Sequence, residues 1–252
     1  MTGHISSYIL LHLLWHRYYV QAAVHSEEKI TTVLSLPQIQ KLNPGSHLTF
    51  TLIPDISIPG AYDHVVKGAT YIIHLASPLA TGNSIPGYLH KDFFIRPAIQ
   101  GTINLLKAAD IAGTMEGLTK HSLLKPISTS NYIPFVPGPY KSTFTTYATS
   151  KVTMLHYTEA WMAQEQPAFD VVYLHPGFIL GHNESTMSHR QDVAKAYVKS
   201  LGLSIFGNQS YILGQSSCKM FTIGSSVKTI HLLINISLTE ATFSIKLASY
   251  KD

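Results

Sequence analysis

Three observations predict that this 252-residue chain is an α/β protein built on a doubly wound parallel sheet. Short apolar runs alternate with longer helix-period stretches through residues 1–182, as parallel strands joined by crossover helices do. Charge is scarce, at 13% of residues against 45% hydrophobic, which suits strands buried on both faces. The residues with the most chemical potential stand just after the predicted strands, where ligands bind on such sheets.

The elements follow in order. An apolar helix is expected over about 7–16, then a short buried strand over 20–24. A second strand over 48–53 is framed by Pro44-Gly45 and Pro54, and a third over 71–75 runs into the small residues Ala76 and Ser77. A long helical pattern covers about 88–112. Residues 122–128 read as a strand, although Pro126 within it removes a ladder donor. A helix over 145–164 and a strand over 170–174 complete the regular part. Beyond Gly181 the pattern thins to a helix over 192–201 and a strand over 210–213, and residues 216–252 carry no clear period.

Composition narrows the function. Eighteen Lys and Arg against fourteen Asp and Glu give +4, spread along the chain rather than gathered into a nucleic-acid-binding patch. Cys218 is the only cysteine, so no intrachain disulfide is expected. The apolar run 9–15 is interrupted by His12 and lacks the basic leader and cleavage box of a signal peptide. No run approaches the length needed to span a bilayer. The expectation is therefore a cytoplasmic protein without membrane contact, in which the glycosylation-type triplets at Asn183, Asn208 and Asn235 are incidental. His12 and His16 share a helical face, but no acidic or sulfur partner stands at ligand spacing, so no metal is expected.

The strongest local signal is Tyr147-Ala148-Thr149-Ser150-Lys151. Four residues on a helix place both side chains on one face, one turn apart. A free phenol is a poor acid or base at neutral pH. An ammonium beside it favours the phenolate and makes proton exchange with a carbonyl oxygen feasible. The same spacing also occurs in ordinary solvated pairs, so the strand and loop before the helix matter to the reading. Ser128-Thr129-Ser130 closes the preceding predicted strand. A hydroxyl there can bond a substrate carbonyl and a developing alkoxide, or simply cap a strand end.

Together with that set, four further stretches form an ordered series: residues 20–29, Pro54-Asp55-Ile56, Ile73-His74-Leu75-Ala76-Ser77-Pro78 and Gly101-Thr102-Ile103-Asn104-Leu105-Leu106. His175-Pro176-Gly177-Phe178-Ile179-Leu180-Gly181 ends it. Over residues 3–182 the series resembles the extended short-chain dehydrogenase/reductases, the NAD-dependent epimerase/dehydratase family. The branch it is most similar to holds dihydroflavonol reductases, cinnamoyl-CoA reductases and fungal ketone and methylglyoxal reductases.

The resemblance implies a Rossmann-like sheet and a role for each matching position. Tyr147 becomes the proton donor to the carbonyl, Lys151 its electrostatic partner and ribose ligand, and Ser130 the hydroxyl that orients the carbonyl. Asp55 and Ile56 border the adenine, Ala76 and Ser77 line the cofactor groove, and Pro176, Gly177 and Phe178 flank the nicotinamide. Asn104 supports the site from its helix without touching substrate. The expected reaction is NADPH-dependent reduction of a ketone or aldehyde, often a bulky one in this branch, including intermediates of fungal secondary or polyketide metabolism. A homodimer through two helices on one sheet edge is implied in the same way.

The cofactor reading favours NADP and leaves NAD open. Where an NAD-binding sheet carries an acidic residue after its second strand, this chain has Val24-His25-Ser26-Glu27-Glu28-Lys29. His25 stands where NADP-using members carry Arg, and Lys29 matches their Lys; His25 is the weaker, pH-dependent phosphate partner. Ser26 alternatively serves as N-cap to a helix whose first turn holds both glutamates.

Departures from the pattern raise a rival reading. The family opens with a strand and a T-G-x-x-G-x-x-G phosphate turn. This chain opens Met1-Thr2-Gly3-His4-Ile5-Ser6-Ser7, where Gly3 matches one glycine and Ser6 stands near another. The expected sheet thus lacks its first strand, leaving two unpaired edges. Much of the substrate lobe after Glu184 is also expected to be missing. Residues 1–182 form the dinucleotide-binding domain, and 183–252 a residual lobe with an unassigned tail. The alternative function is a shortened, impaired nucleotide-binding relative acting as a sensor or remnant. A sugar-nucleotide dehydratase would want a Thr-Asp/Glu pair upstream of the tyrosine, and none is evident.

Overall fold

The computed structural model describes residues 4–78, 86–113, 117–121, 139–140, 142–176, 194–198, 209–213 and 244–248. Helix α1 (His4–Trp15) leads through Arg17, at φ 60°, into strand β1 (Tyr19–Val24). Helices α2 (Glu27–Leu34) and α3 (Pro37–Leu42) follow, then β2 (Leu48–Leu52) and β3 (Tyr71–His74). A π-helical turn at Lys91–Ile95 runs into α4 (Arg96–Ala112). Strand β4 (Gly117–His121), helix α5 (Thr143–Glu165) and strand β5 (Asp170–Pro176) come next. Residues 194–198 are helical, and β6 (Gln209–Leu213) and β7 (Ser244–Ala248) close the described chain.

Local chemistry sets several of these bounds. Pro97 lies in the first turn of α4, where its missing N–H costs nothing. Gly113, at φ 62°, ends that helix in the left-handed conformation glycine adopts without strain. Ser26 holds the extended N-cap position of α2, but its side chain makes no cap bond, contrary to the expected capping role. The dipole of α2 is met instead by Glu27 and Glu28 in its first turn.

All strands join one sheet in the order β2-β1-β7-β3-β4-β5-β6. The β1–β2 pair is parallel, with Val20 opposite Leu48 and Val24 opposite Leu52; Ile53 extends it by donating to the Val24 carbonyl at 2.8 Å. The pairs β3–β4, β4–β5 and β5–β6 are likewise parallel. The doubly wound sheet predicted from sequence is therefore present.

Two expectations need correcting. The strand expected over 122–128 lies earlier, at Gly117–His121, where Gly117 pairs with both Tyr71 and Asp170. Residues 122–128 themselves fall outside the described residues. The two edges expected to be unpaired between β1 and β3 are also filled. Strand β7, from the segment left without a period, lies antiparallel between them: Lys246 faces Gln21 on one side and Ile72 on the other. Five residues of extended backbone satisfy two rows of N–H and C=O groups that would otherwise be stranded in the sheet's centre.

Alternation along the strands divides the core into two layers. Val20, Ala22, Val24, Ile73, Val172 and Leu174 face α1, α3 and helical 194–198. Ala23, Ile72, Val171 and Tyr173 face α4, α5 and the turns around Tyr62–Ala69. Both faces are thus covered, as the low charge content predicted. No helix among the described residues is long and apolar enough to cross a membrane.

Because β7 is hydrogen-bonded on both sides, Lys246→Pro should destabilise the protein strongly. A buried carbonyl left without its donor costs about 1–3 kcal/mol before any steric effect. Urea unfolding of the variant should show a clearly lower midpoint; an unchanged midpoint would mean that this ladder does not hold the sheet together.

Candidate active site

The site is built on the first two turns of α5. Ser142, extended at φ −155°, caps the helix by accepting the Thr145 N–H at 3.1 Å. The helix is enclosed despite its many hydroxyls, because those hydroxyls bond its own carbonyls. Thr146 donates to Ser142 O (3.0 Å), Ser150 to Tyr147 O (2.7 Å), Thr153 to Thr149 O (2.8 Å) and Thr158 to Met154 O (2.8 Å). Buried polar side chains satisfied in this way need no partner on neighbouring elements.

Tyr147 and Lys151 lie one turn apart on this enclosed helix, 7% and 2% exposed. The Lys151 ammonium nitrogen is 5.3 Å from the Tyr147 ring centroid. Burial pushes the Tyr147 hydroxyl well above the usual phenol range. The same loss of water lowers Lys151 from 10.5 to about 7. Sequence reasoning expected the ammonium to pull the phenol down; in the structure, desolvation of both groups dominates. The phenol keeps its proton, which is the state a proton donor to a carbonyl requires.

Sequence reasoning missed Tyr197. It is fully buried in helical 194–198, and its hydroxyl is pushed well up by burial first and by Tyr147 second. The apolar spacing of Ala194, Tyr197 and Val198 was the available signal; nothing in it pointed to Tyr147.

The remaining predicted positions fall along the carboxyl ends of the strands. His25 follows β1 and is partly buried. Ala76 and Ser77 follow β3, buried at 3% and 4% exposure. Pro176 is the last residue of β5. Asp55 follows β2 and closes a tight turn, accepting the Ser57 N–H at 2.8 Å and the Ser57 hydroxyl at 2.6 Å. Lys29 behaves differently from the position expected of a phosphate ligand. Its side chain is buried in α2, where loss of water lowers its pKa and Glu28 partly offsets that. Gly3, Ser130, Gly177 and Phe178 lie outside the described residues.

Two of the sequence motifs meet directly. Asn104 on α4 donates its amide to the carbonyls of Ile56 (3.2 Å) and Ile58 (3.0 Å), fixing the turn that holds Asp55. Gly101, one turn before, lets Ile56 approach: a Cβ there would stand 2.6 Å from Ile56 Cδ1 and 2.9 Å from Cγ1. His74 on β3 is bound from the same helix by Thr102, at 3.4 Å. The rings of His12 and His16 are 4.3 Å apart, and among the described residues no group of three or more metal-ligating side chains occurs.

The comparisons with known proteins agree with the fold. The ketoreductase CTB6 of Cercospora nicotianae is 26% identical to the chain, the match covering 85% of the chain and 73% of the relative. The NAD-dependent epimerase/dehydratase ALT6 of Alternaria alternata is 27% identical, over 80% of the chain and 62% of the relative. Yeast methylglyoxal/isovaleraldehyde reductase Gre2, solved with NADPH, superposes with a TM-score of 0.66 at 16% identity, covering 84% of this chain and 75% of that one. The chain is thus similar to ketoreductases and NAD-dependent epimerase/dehydratases, and it shares the fold of the solved reductase. No model of a known protein family matches it directly. The position of β7 departs from the sheet that the sequence resemblance implied: an antiparallel strand from the end of the described chain fills the centre of an otherwise parallel sheet.

Two predictions follow from these contacts. Gly101→Ala should destabilise by about 1–3 kcal/mol through overpacking. Added to Ile56→Ala it should cost much less, so a double-mutant cycle in urea should show coupling; additive effects would deny the contact. Lys151→Met should stabilise the protein at pH 7 and below. With a folded pKa near 7 against 10.5 unfolded, the unfolded chain binds more protons between those values. The cost of burying Lys151 is therefore complete below pH 7 and fades as pH rises toward 10.5. The advantage of the methionine variant, measured by urea midpoints at pH 6 and pH 9, should shrink at the higher pH.

Proposed function

We propose that the chain is an NADP-preferring carbonyl reductase, with Tyr147 giving its proton to the oxygen of a ketone or aldehyde. The observation that carries this reading is the enclosed Tyr147–Lys151 pair on α5, with the phenol held in its protonated form. A bound NADPH supplies the hydride.

The residues present fit such a cofactor. Asp55 and Ile56, held by Asn104 and Gly101, border the adenine. Ala76 and Ser77 line the groove beyond β3. Lys151 holds the ribose hydroxyls, and an acceptor beside its amine favours the charged form that burial disfavours. His25 lies at the 2′-phosphate end, and Lys29 joins it by leaving its burial. Gly3, Pro176, Gly177 and Phe178 complete the cofactor contacts by resemblance, and Ser130 orients the carbonyl. NAD is the alternative cofactor. The relatives named ketoreductase support a ketone as substrate, and the sequence resemblance extends this to ketones of fungal secondary or polyketide metabolism. Residues 1–182 form the nucleotide-binding domain in this reading, and 183–252 contribute what remains of the substrate side in a cytoplasmic enzyme that pairs as a homodimer.

A specific observation favours a second reading. A parallel central strand would lead directly into the turn before α1, whereas β7 runs the opposite way, with Ser244 at the carboxyl end of β1 and β3. A chain that binds nucleotide without turnover would follow.

Fluorescence titration with NADPH and NADH separates the readings when combined with turnover of small aldehydes and ketones. Saturable NADPH binding weakened by Lys151→Ala is expected. Tyr147→Phe should bind normally and lose roughly 10²–10⁴-fold in turnover. Binding without reduction in the unaltered protein would favour the second reading, and no binding to folded protein would exclude both.

A further inference from the structure

His90 lies between the turn at Gly87–Leu89 and the π-helical turn at Lys91–Ile95, and no motif in the sequence singled it out. It is 4% exposed, and its Nδ1 is 2.8 Å from the Thr146 hydroxyl oxygen. Thr146 is fully buried and spends its one proton on the Ser142 carbonyl at 3.0 Å. With the hydroxyl proton there, the oxygen accepts, and the tautomer that matches this pairing has the hydrogen on His90 Nδ1.

A second contact leads to the same place. The His90 ring meets Phe94 edge-on, with centroids 6.0 Å apart and planes at 81°. Phe94 is fully buried and packs in one cluster with Ile95 and Tyr147. The extra residue of a π-helical turn re-aims the side chains around it, and such turns recur at functional sites. Here the turn brings Phe94 to Tyr147 while His90 reaches the residue just before it.

We propose that His90 is a positioning residue for Tyr147, fixing the first turn of α5 through Thr146 and the tyrosine ring through Phe94. It need not touch substrate or cofactor. Lysine or arginine at this position would bring a flexible charged chain among buried groups, whereas an imidazole offers Nδ1 to the Thr146 hydroxyl and a ring to Phe94. The inference rests on Tyr147 being the reactive group, and its test includes a measurement that needs no turnover.

Three variants divide the roles. His90→Phe keeps a ring against Phe94 and removes the donor. His90→Asn restores a donor close to the place of Nδ1. Thr146→Val removes the acceptor from the other side and carries the test if His90→Phe does not fold. In nucleotide-free protein labelled with ¹³C at tyrosine Cζ, the Tyr147 resonance is assigned through Tyr147→Phe. It should move in His90→Phe and Thr146→Val and return toward its original position in His90→Asn. In turnover, His90→Phe should lower kcat by roughly tenfold or more with KM and NADPH affinity nearly unchanged, and His90→Asn should recover most of it. A Tyr147 resonance unmoved in folded His90→Phe or Thr146→Val would overturn the proposal, as would equal losses in His90→Phe and His90→Asn. If the unaltered protein neither binds NADPH nor reduces carbonyls, the reductase reading fails while the resonance still decides the role of His90.

Discussion

Thr146, Ser150, Thr153 and Thr158 each return a hydroxyl to a carbonyl of α5 or its cap about one turn back, and the burial of that helix depends on those bonds. A helix this rich in hydroxyls would otherwise carry unsatisfied groups into the core, each costing about 1–3 kcal/mol. Once enclosed, α5 imposes its dryness on the two titratable residues it carries. Water that would stabilise a phenolate or an ammonium is absent, so both groups move toward neutrality. The shifted titration of this pair thus begins with local hydrogen bonds made by other residues.

The carboxyl edge of the sheet receives its shape from α4. Gly101 admits Ile56, Asn104 binds two carbonyls of the turn after β2, and Thr102 holds His74 on β3. One helix therefore sets the ends of both strands. Asp55 spends at least one carboxylate oxygen on its own turn. That turn is consequently rigid before any ligand arrives, and less ordering entropy is lost on binding.

How far the sequence discloses this structure depends on how local each determinant is. Strands β1, β3 and β5 are legible because their runs are apolar and largely buried, and β2 because turn residues bound it on both sides. Tyr147 and Lys151 are legible as a helical pair because four-residue spacing is a property of the helix alone. Strand β4 was misplaced because Gly117-Leu118-Thr119-Lys120-His121 has neither an apolar run nor clean alternation; its pairing with β3 and β5 decides it. The contact of Gly101 with Ile56, and that of His90 with Thr146, join residues far apart in the chain. No period reports such contacts. The direction of the Tyr147 shift was misjudged for the same reason: the neighbour was local, but the burial that outweighed it is tertiary.

Strand β7 has a further consequence in time. The chain is made from its amino terminus, so β1 to β6 all emerge before Ser244–Ala248 do. Until then β2-β1 and β3-β4-β5-β6 are two separate ribbons, with no strand pairing between them among the described residues. A sheet that grows outward from an early central strand hides its inner edges as it forms. This one leaves two inner edges open until a late segment slides between them, a long-range closure that is slow by nature. During synthesis, those open edges are where a chaperone would be needed and where a second nascent copy would be caught.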